Sequence, residues 1–266
     1  MIALFAAAAL ALAPPAQETA VLAACRAWMK PLDVNAEMTV APVEGGLCVN
    51  GMMDRGTEGP FLDAIKRFDR TPFVIVIRSG GGAAEASLPM GEAVQTRTAT
   101  VVADMLCASS CADFILPAGK RRVVTPDTLL LYHGGVTLEA LNAAAPQVEA
   151  LAKKDPHVSF EHVMEQNREQ LNGEISHQEA LLAREGISPT LFRWMDLINH
   201  MTPAEQATHC PAGTDIIAYP PQVLARFGLT FDSYGGPRSQ AEVDAIVARD
   251  RRTGTHICYW VENPMP

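Results

Sequence analysis

Apolar residues recur along this chain in two rhythms. Unbroken runs, Phe73-Val74-Ile75-Val76-Ile77 and Thr98 to Ala103, alternate with segments whose apolar positions fall on one helical side. The helical segments are Phe61 to Phe68, with positions 61, 65 and 68 aligned, and Ala83 to Thr96. Alternate residues of a strand point to opposite sides, so a run without polar interruption predicts a strand covered on both faces, as in a parallel sheet. Leu129 to Tyr132 predicts another such strand. Met38 to Val40 and Leu47 to Val49, divided by Gly45-Gly46, predict two short ones. Strands and helices in alternation give an α/β domain with crossover connections.

The pattern changes between Leu138 and Leu197, which is polar and helix-rich. Ala140 to Lys154 and Phe160 to Glu185 are the predicted helices. The second has few apolar positions (Val163, Met164, Leu171, Ile175, Leu181, Leu182), so it projects from the core, covers a neighbouring subunit or lies solvated on the surface. The tail predicts a strand from Asp215 to Tyr219, a helix ending at Gly228 and a last strand from Ile257 to Val261. No internal repeat is visible. With 266 residues, 48% of them hydrophobic, the chain can bury one sizeable core. The expected organisation is a single domain over 17–266, with a helical appendage at about 138–197.

Charge and the termini narrow the function. The formal net charge is −9 and the Lys/Arg clusters are short (Lys120-Arg121-Arg122; Arg249 to Arg252), which leaves no basic face for nucleic acid. Residues 1–16 contain an apolar run, Ala6 to Ala13, before Pro14-Pro15-Ala16. That run is short for a membrane span and matches the core of a secretory signal, with cleavage expected after Ala13 or Ala16. It lacks a basic leader, since the first cation is Arg26. The expectation is an exported, periplasmic protein; the alternative is an uncleaved helix packed on the domain. Six cysteines (25, 48, 107, 111, 210 and 258) then allow up to three disulfides. A Cys107–Cys111 bridge would brace the segment around Ser110, and Cys210–Cys258 would staple the tail. Free buried thiols are the alternative in a reducing compartment. Neither Cys-x2-Cys nor His-x3-His occurs, so no zinc pattern is present.

Three segments carry candidate chemistry. Ser110 opens Ser110-Cys111-Ala112-Asp113 before Phe114-Ile115-Leu116, a capping-box pattern that starts many helices with no catalytic role. The same position places a nucleophile beside free backbone N–H groups and the positive end of a helix dipole. His133 closes the strand Leu129 to Tyr132 and is followed by Gly134-Gly135. It is either a rim histidine satisfied by a carbonyl or a base, paired with Ser110 across consecutive strands of one sheet. Gly80-Gly81-Gly82 ends the Phe73 run. A dinucleotide fingerprint would need glycine where Glu85 stands, and a phosphate loop would need Gly-Lys-Ser/Thr. The glycines instead form a plain turn or let a substrate carbonyl approach the backbone.

Taken in order, Ile77-Arg78-Ser79-Gly80-Gly81-Gly82, then Ser110 through Gly119, then Leu131-Tyr132-His133-Gly134-Gly135 resemble the Clp protease proteolytic-subunit family, within the wider Clp/crotonase superfamily, and most of all its exported, cysteine-containing relatives. The resemblance is close over roughly residues 45–135 and loose elsewhere. It implies a spiral of ββα units, Ser110 as nucleophile and His133 as general base. An oxyanion hole would come from backbone N–H groups of Gly81 or Gly82 and of Cys111. The orienting acid is assigned to Asp196, with Asn199 and Asp215 as substitutes. Gly80 replaces the family's proline before the glycine pair, and Pro117 sits inside the nucleophile helix. The implied activity is that of a serine hydrolase, a peptidase, acting on a peptide or protein without metal or nucleotide cofactor. Homo-oligomers are implied, with any ATPase on a separate chain. The rivals are a catalytically inactive binding or assembly protein on the same scaffold and a thioester enzyme using backbone amides without a serine.

Overall fold

A computed structural model describes residues 15–68, 72–155, 157, 159–192, 201–210, 214, 216–250 and 256–261. The expected leader thus lies outside the described residues up to position 14, and Pro15 and Ala16 open a helix, α1 (Pro15–Met29). No described helix is long and apolar enough to cross a membrane.

The architecture is α/β, as the alternating pattern predicts. A hairpin of β1 (Thr39–Val43) and β2 (Gly46–Asn50) leads into parallel strands β3 (Phe73–Ser79), β4 (Ala99–Ala108) and β5 (Arg121–Val124). Strand β6 (Leu129–Leu131) also pairs with β4, in parallel. A short parallel pair, β7 (Ile216–Ala218) and β9 (Ile257–Tyr259), lies in the tail, and β8 (Ser233–Tyr234) extends the main sheet beside β5.

Strands β2 and β3 are buried along their whole length because both faces are covered. On one face α1 sets Val21, Cys25 and Met29 against Cys48, Val74, Val76 and Val102. On the other, α2 (Glu58–Ile65) and α3 (Ala84–Gln95) set Phe61, Leu88 and Val94 in one core with Leu47, Ile75 and Ile77. Helix α1 is not among the elements the hydrophobic pattern predicts. Its buried residues follow an i, i+4, i+8 spacing, but the alanines around them blur the face.

Strand β4 is longer than predicted and changes partner midway. Thr100 to Ala103 pair with β5, and Leu106 to Ala108 pair with β6. Between them Met105 takes φ +64, and the β3–β4 register shifts between Ile77 and Ser79. A residue in that left-handed region breaks the ladder and re-aims the strand. Asp104 anchors the break, accepting bonds from Arg26 at 2.6 Å and from Thr125 Oγ1 at 2.6 Å.

A one-turn helix, α4 (Leu116–Ala118), follows β4, and the helical region forms α5 (Glu139–Lys154) and α6 (Phe160–Arg184). None of the three readings of α6 describes its last turns, which pack on the core: Gln178, Leu181 and Leu182 are buried. Three disulfides form, Cys25–Cys48, Cys107–Cys111 and Cys210–Cys258, which includes both pairings expected from the sequence.

Candidate active site

The sheet brings the three chemistry-bearing segments to one edge. Strand β4 lies between β3 and β6, with Ser79 level with Cys107 and Cys107 level with Leu130. The residues that follow, Gly80 to Gly82, Ser109-Ser110 and Tyr132-His133, therefore leave the same carboxyl edge side by side. That edge is where ligands bind in open α/β sheets.

The connection from β4 is a sharp elbow. Ser109 takes φ +51, a left-handed conformation rare outside glycine, and Ser110 returns to a helical φ of −52. The turn that follows, Cys111–Ile115, is π-helical, with Leu116 N–H donating to the Cys111 carbonyl five residues back. Single π turns recur at functional sites because they widen the helix and re-aim its side chains. The Cys107–Cys111 bridge spans the elbow and ties the strand end to the helix start.

The capping-box reading of this segment does not hold. Ser110 makes no side-chain bond to the turn; its hydroxyl donates to the Gly82 carbonyl at 2.7 Å. Asp113 does not reach back either, since its carboxyl points into the interior and Oδ1 is enclosed with no hydrogen-bond partner. The helical φ of Ser110 and the widened turn carry both side chains away from the end they would cap.

The glycines bring backbone where a side chain would not fit. Gly81 (φ +101) passes over Ser109, and a Cβ there would sit 2.6 Å from Ser109 Cβ. Gly82 (φ +148) bridges to Met53, through Met53 N–H to the Gly81 carbonyl and Ala83 N–H to the Met53 carbonyl, both 2.8 Å. Gly82's own polar groups are therefore turned away from Met53, and its carbonyl receives Ser110. Gly81 N–H donates to Ser79 Oγ at 3.1 Å. At the turn, Cys111 N–H lies ahead of the first backbone bond, from Asp113 N–H to the Ser109 carbonyl at 2.8 Å.

Ser110 and His133 line one pocket of about 130 Å³, with Gly82, Asp113, Phe114 and Val136 among its walls. Ser110 is only 4% exposed, whereas His133 is exposed at the rim. The rim is held from two sides. Tyr132, the residue before His133, exchanges backbone bonds with Ile217 of β7 at 2.8 and 2.9 Å. Gln178 of α6 clamps Val136, accepting from its N–H at 2.9 Å and donating to its carbonyl at 2.7 Å.

The sequence pattern marks Asp113 only as a capping partner of Ser110, yet it is a buried residue of this pocket's lining. Burial pushes its pKa well above the ordinary carboxylate range. Burial first, and then nearness to Asp113, also push up the Tyr132 and Tyr219 hydroxyls. The three candidates for an orienting acid, Asp196, Asn199 and Asp215, lie outside the described residues. Among the described residues no cluster of His, Cys, Asp or Glu is arranged to hold a metal ion.

Among solved structures the chain is similar to a mutant of ClpP1 from Listeria monocytogenes, at 18% identity and a TM-score of 0.31, covering 43% of this chain and 73% of that one. It is also similar to ClpP1 from Listeria monocytogenes (20% identity, TM-score 0.29, covering 43% and 73%). The ClpP protease catalytic domain from Plasmodium falciparum matches at 19% identity and TM-score 0.29, covering 43% and 67%. Superposition at that level says nothing about chemistry. No protein-family model matches the chain, and no curated protein does.

Proposed function

We propose that this chain is a serine hydrolase of the acyl-enzyme type, acting on peptide bonds. One observation carries the reading: a buried hydroxyl, Ser110, and an imidazole, His133, line the same pocket beside the first N–H groups of a helical turn. In the first step Ser110 Oγ leaves the Gly82 carbonyl, gives its proton to His133 and bonds to the substrate carbonyl carbon. The carbonyl electrons move onto oxygen, where N–H groups of Gly82 and Cys111 stabilise the charge. Gly82 serves here better than Gly81, whose N–H is engaged by Ser79. Collapse expels the amine, which takes its proton from the imidazolium. Water, deprotonated by the same imidazole, then releases the acid and restores Ser110. Asp196 remains the proposed orienting residue, with Asn199 and Asp215 behind it. Three disulfides support an oxidising location, and we place the protein in the periplasm after removal of its leader. A homo-oligomer acting on peptides or unfolded protein completes the reading.

One observation favours a second reading, a binding protein on the same scaffold: the resting hydroxyl is nearly sealed and bonded to Gly82 rather than poised for attack. Hydrolysis of an activated ester and of an unfolded protein separates the two. Wild type is expected to turn over both, with Ser110→Ala at least about a thousandfold slower and His133→Ala similarly impaired. Folded wild type without turnover supports the binder. Turnover surviving in Ser110→Ala supports a thioester-type enzyme that relies on backbone amides alone.

A further inference from the structure

The Ser110–His133 pocket has a second hydroxyl to which the acyl-transfer steps give no part. Ser109 lines it beside Gly82, Ser110 and His133. The backbone of Ser109 is fully engaged: its N–H donates to the Leu131 carbonyl at 2.9 Å, and its carbonyl accepts from Asp113 N–H at 2.8 Å. The side chain is not. Its hydroxyl bonds to no described residue, and it is not sealed off as Asp113 Oδ1 is. The neighbouring Ser110 hydroxyl, by contrast, is committed to the Gly82 carbonyl. Serine is also not the residue this backbone favours. At φ +51 glycine is the least strained choice, and Gly81 crosses so closely that a Cβ on it would meet Ser109 Cβ at 2.6 Å. Glycine at 109 would relieve both constraints. Serine keeps them and adds a hydroxyl, so the hydroxyl calls for a use.

Its place in the fold suggests which. Ser109 Oγ lies 3.2 Å from where a Gly81 Cβ would stand, so it flanks the residue whose peptide link to Gly82 carries the Gly82 N–H. Cys111 N–H follows two residues on, along the same elbow. These are the two amides assigned to the oxyanion, and the hydroxyl stands at their side. We propose that Ser109 is a catalytic residue whose O–H donates a third hydrogen bond to the oxyanion formed when Ser110 attacks. No proton leaves Ser109. Its O–H bond stays intact while the hydrogen bond strengthens as the carbonyl oxygen gains charge, so its effect falls on the transition state rather than on substrate binding. The proposal deepens the hydrolase reading and rests on it.

Hydrolysis of 4-nitrophenyl acetate and of its thionoacetate analogue tests it. Ser109→Ala and Ser109→Gly are each expected to lower kcat/KM for the oxygen ester at least tenfold. Glycine suits the backbone at this position, so the test does not depend on the alanine variant folding. The second readout is the preference for oxygen ester over thionoester. Sulfur is a poor acceptor, so losing a donor to the oxyanion should shrink that preference at least fivefold, whereas a merely loosened elbow would slow both esters alike. A smaller loss in both variants of an active wild type, or an unchanged oxygen-to-sulfur preference, overturns the role of Ser109 and leaves the hydrolase standing. A fluorophosphonate adduct found on Ser109 overturns it too, by making that residue the nucleophile. A folded wild type inert to both ester and fluorophosphonate sinks the hydrolase reading itself, and the third donor with it.

Discussion

Ser110 and Asp113 stand three residues apart on one turn, and their surroundings set them to different work. The hydroxyl is delivered by a left-handed Ser109 and parks on Gly82, while the carboxyl is driven inward, where burial makes it hold its proton more tightly. Both residues were legible as candidates only through the motif around Ser110, whose simplest reading was a cap. What the sequence could not reveal is that a π turn replaces the capped α-helix, because that choice depends on packing from α3 and the disulfide. Burial of Asp113 gives a pH signature. The unfolded chain loses that proton near pH 3.9, the ordinary aspartate value of about 3.9, while the folded chain keeps it to higher pH. Its contribution to stability therefore falls as pH rises through that window and is flat below it. Asp113→Asn should raise the melting temperature at pH 7, with the gain shrinking toward zero near pH 4, as read by thermal melts across pH. Gly82→Ala meets the Met53 backbone at a φ of +148, so it should cost about 1–3 kcal/mol or more in urea unfolding.

At the scale of elements, the kink in β4 does most to place the site. It turns one strand into two pairings, so that β6, and with it His133, comes to lie beside the elbow. The apolar run ending at Ala103 makes the first half legible; Asp104 interrupts the run and hides the second half. Disulfides divide between stability and site geometry. Cys210–Cys258 closes 48 residues, for which chain entropy gives about 4 kcal/mol, whereas Cys107–Cys111 closes only four, for about 2 kcal/mol. Replacing Cys210 and Cys258 by serine should lower denaturant stability more. Replacing Cys107 and Cys111 should slow esterolysis more, at least tenfold, because it frees the elbow. If esterolysis tracks stability in both pairs, the bridge has no role at the site.

For the molecule as a whole, the hydrophobic pattern was enough for the α/β class and for most strands, since continuous apolar runs leave a chain few alternatives to a doubly covered sheet. It was not enough for α1, whose alanine-rich face is indistinct, nor for the junction of tail and site, where β7 meets Tyr132 across a long sequence distance. The consequence of that topology is a pocket assembled from three separate stretches, those of Gly82, Ser110 and His133, the last braced from behind by Ile217 and Gln178. The measurement that tests its purpose most directly is fluorophosphonate labelling of the oxidised protein, with the modified residue located by mass spectrometry. The account predicts a single adduct on Ser110 that His133→Ala suppresses at least a hundredfold. A folded protein that takes no label, or carries it on another serine, would contradict it.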